Sequence, residues 1–472
     1  MADSVLSVPF PPASRDAWRA LVEKTLGDAP FESLRKSTAE GLSIDPLYEE
    51  APAPAAFPTR PFSEDRPWDI RVASAHPDPF AANGEILRDL EGGAASAVID
   101  IDPAGHHGVA IGSAEDLART LQGVRPEWAT VGLNAGFLGP QAADWLNAFA
   151  KASPGALLAF HLDPLSAFAE AGESPGPIES HLVSAATVGV RLADTYPQAT
   201  LFLASGRVVH EAGGGEAFEL AFAVAAGLTY AKALTRAGLP LTDAFDRITL
   251  GVSVDADYFV SIAKLRAARA VWTRVAQACG AETQARVEAQ SSHRMLTAQD
   301  PWTNMIRLTA AGFAAAVGGA DAIKLGNFTD AIGLPTAFAR RQSRNIQLVL
   351  MEEAHIGRVT DPAAGSGYVE SLTQEIARAA WAAFQAIEAD GGVVSALSTG
   401  HIARQVEMAL AARPEPKIVG VTAFPPEKDT PVEVERPTPK SVAAPTPRLP
   451  GPDSHCPPLT AIRLAAPYEG SK

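Results

Sequence analysis

Cysteine is all but missing from this sequence. Cys279 and Cys456 are the only two in 472 residues, in no CxxC spacing, which excludes a disulfide framework and a cysteine-rich zinc site. Basic charge is also short. The 39 lysines and arginines stand against 54 aspartates and glutamates, a formal net charge of −15, so phosphate backbones and anionic lipid are repelled. No basic stretch leads into an apolar run in MADSVLSVPFPPASRDAW, so the N-terminus does not have the pattern of a secretory signal. The most apolar helical window, around Leu220–Leu228, is interrupted by charge short of the ~18 residues a membrane span needs. What is plentiful is core-forming material, 47% apolar against 20% charged, and that excludes disorder of the whole chain. The expectation is a soluble, cytoplasmic protein without nucleic-acid or membrane partners.

Composition divides the chain into an N-terminal extension (1–65), a dense region (66–411) ending in a helical stretch from about 367, and a proline-rich arm (412–472). The arm holds 11 prolines between Phe424 and Pro458. At that density the backbone lacks donors and favours extended geometry, so the arm is expected as a semi-rigid linker or strap. In the dense region short β-type runs alternate with helical ones: ASAVIDI (95–101), TVGLNAG (130–136), ALLAFHL (156–162), TLFLAS (200–205), RITLGVSV (247–254), TQARVEA (283–289) and DAIKLG (321–326). A weak eighth run lies near RVTDP (358–362). Seven or eight β/α repeats fit an α/β fold of the (β/α)₈ TIM barrel type, favoured here over a doubly wound open sheet. Function in a barrel sits at the C-terminal ends of the strands. That points to the loops holding His106 and His107, Asp163, Gly206–Gly215, Asp255, Gln290–His293 and Asn327.

Several local patterns offer chemistry and fail on inspection. Asp100 and Asp102 with His106 and His107 supply carboxylate and imidazole ligands, enough to frame a metal-dependent lyase. Adjacent histidines on an exposed loop point apart, however, and no second cluster follows. HEAGGG (His210–Gly215) lacks the second histidine of HExxH; its glycines suit a tight turn, or an anion cradle at the start of the next helix. The GSG at 365–367 lacks the Lys-Ser/Thr of a P-loop. Asp453-Ser454-His455 opens like the cobalt-ligating DxHxxG motif, but Pro458 stands where glycine is needed.

The stretch DPWTNMIRLTAAGFAAAVGGADAIKL, continuing through TDAIGLPTAFARRQSRNIQLVLMEEAHIGRVTDPAAGSGYVESLTQEIARAAWAAFQAIEADGG, resembles the catalytic barrel of methylmalonyl-CoA mutases. EGLSIDPLY, RPWDIR, EAGGGEAFELAFAVAAGLTYAKAL, DADYFVSIAKLRAARAVW and IVGVTAFP agree, so the resemblance covers nearly the whole chain. It implies a barrel that threads acyl-coenzyme A down its axis, with a separate domain holding adenosylcobalamin over the mouth. The cofactor performs the radical chemistry while the protein binds, orients and excludes water.

Departures from the family's catalytic pattern are as telling as the matches. Aligned on Glu-Ala-Gly, the family's GYHMQEAG becomes Gly206-Arg207-Val208-Val209-His210-Glu211-Ala212-Gly213, so Val208 replaces the histidine that contacts the thioester carbonyl. Valine donates no hydrogen bond. After Pro67-Trp68-Asp69-Ile70-Arg71 comes Val72-Ala73-Ser74, without the family's tyrosine. In the family's HCQTSGWSLT segment Gln290 and Ser292 survive, but Glu288 replaces a histidine facing coenzyme A. With Arg71, those two form a candidate substrate-binding remnant. No cobalamin-binding domain is recognisable. The pattern is similar to that of small subunits of heterodimeric mutases, implying no catalytic residues, no cofactor bound by this chain, adenosylcobalamin and acyl-CoA held by a large catalytic partner subunit, and arms that wrap that partner. The alternative is a catalytic isobutyryl- or 2-hydroxyisobutyryl-CoA mutase barrel, whose cobalamin domain is a separate chain.

Overall fold

A computed structural model describes residues 13–38, 40–49, 57–153, 155–428 and 430–470. The first twelve residues, which hold most of the segment read for a secretory signal, and residues 51–56 of the N-terminal extension lie outside the described residues. Eight parallel strands close into a barrel in sequence order: β1 (Asp69–Ser74), β2 (Ser96–Asp100), β3 (Thr130–Asn134), β4 (Leu158–Leu162), β5 (Thr200–Ser205), β6 (Ile248–Val254), β7 (Arg286–Ser291) and β8 (Ala322–Lys324). The ring closes where Ala322–Lys324 of β8 pair with Asp69–Arg71 of β1. Outside it run α1 (Pro79–Glu91), α2 (Ala114–Thr120), α3 (Gly139–Ala150), α4 (Ile178–Thr195), α5 (Glu216–Arg236), α6 (Tyr258–Ala278), α7 (Asn304–Val317) and α8 (Ala337–Leu348), and then α9 (Gly367–Ala389).

Two expectations need correction. The eighth strand is not at 358–362, where a 3₁₀ turn (Ile356–Arg358) leads into bends; it is β1, the first in the chain. DIRVAS escapes a search for apolar runs because Asp69 and Arg71 put charge into the barrel. The apolar window in α5 is also longer than expected, since by length and composition this helix could cross a membrane. Yet 83% of that window is buried. α5 is apolar all round because it packs between β5 and β6 on one side and α9 on the other, with Leu220, Phe222 and Tyr230 fully enclosed. The helical stretch from 367 divides into α9, Val393–Ser398 and His401–Ala411, broken where Gly391, Gly392 and Gly400 take positive φ.

The N-terminal extension forms a helix (Arg15–Leu26) with no buried residue and a two-residue hairpin pairing Lys36–Ser37 with Ser43–Ile44. Glu40, at the hairpin turn, accepts hydrogen bonds from Ala217 N (2.7 Å) and Phe218 N (2.8 Å) at the start of α5. The anion cradle suggested by the glycine run therefore exists, and the anion is the chain's own carboxylate. A Cβ on Gly215 would lie 2.0 Å from Glu40 Cγ, so glycine is needed there for close approach.

The proline-rich arm lies along this chain's own barrel and encircles the mouth at the C-terminal ends of the strands. It starts beside the first turn of α7, where Arg307 Nη2 donates to Val419 O (2.7 Å). It exchanges backbone hydrogen bonds between Leu334 and Glu435 after β8, reaches Pro103 after β2 through Val442 N (2.8 Å), and meets Pro175 through Leu449 N (2.9 Å). It then passes Glu211 after β5 through Ile462 N (2.8 Å) and returns to Arg294 after β7 through Leu464 N (3.0 Å). Its end is buckled near its start: Glu469 Oε1 accepts from Ala298 N (2.6 Å) while Oε2 pairs with Arg463 (2.7 Å). Neighbouring loops are shaped for it; a Cβ on Gly112 would sit 1.9 Å from Ala443 O. Extended proline-rich backbone carries few donors to satisfy, and the rim supplies partners for those that remain.

Replacing Glu469 with alanine removes the buckle, at a cost of about 1–2 kcal/mol for lost charge-assisted hydrogen bonds. Limited proteolysis should then cut the belt between 430 and 470 faster in the variant than in the parent. Equal rates would show that the buckle does not hold the belt.

Candidate functional site

The barrel axis contains a buried ionic cluster rather than a continuous passage. Glu288 on β7 is 1% exposed and sits at its centre. Its carboxylate accepts from Arg71 Nη1 of β1 (2.5 Å) and from Arg207 Nη1, just beyond β5 (2.8 Å). Arg71 spends its other donors on Ser96 Oγ (2.9 Å) and Asp69 Oδ2 (2.8 Å). Burial alone would push the Glu288 carboxyl up, but Arg71 above all, with Arg207 and Lys324, holds it well below the usual carboxylate range. The same partners, Asp69 and Glu288, overcome burial and keep Arg71 protonated.

His161 of β4 completes the cluster, with Nε2 3.7 Å from Glu288 Oε2. Its presence in the axis is a product of local backbone. Ala159 and Leu162 face Thr200 and Phe202, so β4 holds one residue more than β5 between these pairs, and His161 takes φ +46°. Such a bulge re-aims a side chain. Burial, reinforced by Arg71, Arg207 and Lys324, lowers the His161 pKa to about 4 against the pull of Glu288, so the ring is neutral at pH 7.

Cavities lie on either side of this cluster and share no lining residue. The lower one, about 540 Å³, opens among the N-terminal ends of the strands and is lined by Asp69, Arg71, Thr130, Thr249, Arg286 and Glu288. The upper one, about 520 Å³, lies under the mouth and is lined by Asp100, Asp163, Leu203, Arg207, Val208 and Gln290. A side chamber of about 480 Å³ adjoins it, with Asp100, Gln290 and Lys324 common to both. A chain-like ligand entering from below would have to break the Glu288 ion pairs to reach the mouth.

The sequence-derived candidates separate in this frame. Val208 does face the upper cavity, on the short helix Arg207–Glu211, and offers only methyl groups. Gln290 lines the upper cavity as well. Arg71 is consumed by the ionic cluster, and Ser292 is 1% exposed with its hydroxyl 2.8 Å from His210 Nε2. The three remnant residues therefore do not converge on one ligand. Asp163, half-buried beneath the mouth and hydrogen-bonded by Tyr230 Oη (2.5 Å), has its pKa raised to about 6, chiefly by desolvation. Asp102 braces its own loop, accepting from His106 N (2.8 Å) and His107 N (2.9 Å), and both histidines are exposed. That is a polar loop, without the arrangement of a metal centre. Asp453 accepts from Gly176 N (2.8 Å) and Ser454 Oγ from Ile178 N (3.1 Å), so the DSH fragment is part of the belt.

Sequence reasoning missed a second buried network beside the mouth. His210, Glu216 and Glu219 bring possible ligand atoms within 4.8 Å of one another. The place of a cation is taken, however: Lys264 Nζ lies 2.5 Å from Glu219 and 3.6 Å from Glu216, and Arg294 lies 3.5 Å from Glu216. Burial and these two cations oppose protonation of His210, yet Glu219 and Glu216 prevail and raise its pKa. The i, i+3 spacing of Glu216 and Glu219 on α5 was the available signal.

The family model for Methylmalonyl-CoA mutase matches residues 59–447. The methylmalonyl-CoA mutase small subunit of Streptomyces virginiae is 37% identical over 462 residues, covering 91% of this chain and 73% of that protein. The small subunit of Propionibacterium freudenreichii subsp. shermanii is 35% identical over 453 residues, covering 88% and 69%. A methylmalonyl-CoA mutase of Escherichia coli (strain K12) is 30% identical over 434 residues, covering 84% and 61%.

Because Glu288 is the shared partner of two guanidinium groups, Glu288→Ala leaves Arg207 without an ion pair and Arg71 with Asp69 alone among the described residues. The expected loss is about 3–5 kcal/mol in chemical denaturation, and a loss below 1 kcal/mol would show that the cluster is not a tight unit. His161 adds a pH signature. Its folded pKa lies below the ordinary unfolded value of about 6.5, so its contribution is present above that value and is lost as pH falls toward about 4. His161→Asn should flatten this acid limb, and an unchanged slope between pH 7 and 5 would contradict the assignment.

Proposed function

The chain belongs to the methylmalonyl-CoA mutase family, and from that premise we propose that it is the small, non-catalytic subunit of a mutase that interconverts methylmalonyl-CoA and succinyl-CoA. The observation that carries this reading is the closed axis: Glu288 bonded to Arg71 and Arg207 occupies the path along which the family threads coenzyme A. Val208 adds a second argument, since the upper cavity presents methyl groups where the family's thioester-contacting histidine would stand. Acyl-CoA and adenosylcobalamin are assigned to a large partner subunit. The residues of this chain do not fit the corrin: His455 carries a side chain 70% exposed, and its neighbours Asp453 and Ser454 are spent on the belt's contacts with Gly176 and Ile178.

The partner would be held as a heterodimer in the cytoplasm. The helix Arg15–Leu26 supports this, since it buries no residue against its own barrel and leaves Leu21 65% exposed. Trp18, packed edge-on to Phe31 at 5.9 Å, continues the same apolar side. An arm of this kind gains stability by covering another chain.

The purified chain supplied with adenosylcobalamin and methylmalonyl-CoA should show no turnover, and adding the large subunit should give an active complex of one copy of each. Conversion of methylmalonyl-CoA by this chain alone would end the reading.

A further inference from the structure

Lys324 stands apart from the other buried cations. It is 8% exposed at the end of β8, yet among the described residues its Nζ has no hydrogen bond and no ion pair. Asp100 is the strongest opposite charge acting on it, but the Asp100 carboxylate is hydrogen-bonded by Asn134 Nδ2 (3.0 Å). Glu288 is already shared between Arg71 and Arg207. With no protein acceptor, this largely buried ammonium has its hydrogen-bonding capacity left for what enters the cavities it lines. The group lines both the upper cavity and the side chamber, beside Gln290, which lines the same two spaces.

We propose that the chamber under the mouth binds a short-chain aliphatic monocarboxylate, with its carboxylate on Lys324 Nζ and the Gln290 amide and its alkyl group against Leu203 and Val208. The head group follows from the unpartnered donor and the tail from the apolar wall. Charge selects the class further. Asp100, Asp102, Asp163, Glu170 and Glu211 line the same cavity against Arg207 and Lys324, an acidic excess that disfavours a doubly charged phosphate more than a single negative charge. Entry is from the mouth, since the Glu288 cluster closes the axis below. The site belongs to this chain and does not depend on whether a mutase partner is present.

The test uses the full-length chain, with butyrate, acetate and inorganic phosphate as probes, followed by thermal melting and titration calorimetry. Butyrate should raise the melting temperature saturably and bind more tightly than acetate, and phosphate should give no saturable shift. Lys324→Met should weaken butyrate binding about tenfold or more, the loss of one charge-assisted contact. Without ligand it should melt no lower than the parent, because it removes an unpaired buried charge; a lysine with a purely structural role would instead leave the variant less stable. Gln290→Leu, a second variant should the first misfold, should weaken butyrate several-fold. The proposal is overturned if butyrate gives no saturable response at about 10 mM, weaker than any useful contact set would allow. It is equally overturned if phosphate binds as well as butyrate, or if neither variant changes the affinity.

Discussion

The ion pairs that Glu288 makes with Arg71 and Arg207 fix the character of this barrel. A carboxylate at 1% exposure is costly unless its lone pairs are taken, and here two guanidinium groups from opposite parts of the ring take them. Each arginine is anchored again on its own side, Arg71 by Ser96 and Asp69, Arg207 by Ser205 Oγ at 3.1 Å. The strands are therefore cross-linked through the space a ligand would occupy. Displacing the cluster would expose several kcal/mol of unpaired buried charge, roughly two to three orders of magnitude in affinity for any molecule that tried to pass. A lower and an upper cavity remain where a through-going tunnel would need one space.

The rest of the molecule repeats this use of its own groups as ligands. Glu40 occupies the anion position at the start of α5, Lys264 the cation position between Glu216 and Glu219, and the proline-rich belt the rim of the mouth. Each is a site that could have taken something from solution and is filled from within the chain. Lys324 is the exception, a buried donor in this region left facing open space. Together these features describe a barrel stabilised as a body, with an N-terminal helix that buries no residue against it.

Much of the fold was legible because most of the strands are apolar runs and the helices between them keep a 3.6-residue period; β7 was read in spite of Arg286 and Glu288. β1 was not, because Asp69 and Arg71 serve the axis cluster, and charge at inward positions hides a strand from any search based on hydrophobicity. Val208, singled out by the Glu-Ala-Gly register, lines the upper cavity. Glu288 was noticed for its sign but not for its partners, which lie 217 and 81 residues away in sequence. His161 gave no warning, since its direction depends on one extra residue in β4 and a positive φ. The roles of Ser292 and His210 depend equally on a contact across 82 residues.

Equilibrium dialysis of coenzyme A against this chain without its partner tests the central claim most directly. A closed axis predicts no saturable binding up to millimolar concentration. Saturable micromolar binding, strengthened when Arg71 or Arg207 is shortened, would mean that the cluster opens and that the barrel still admits the ligand of its family.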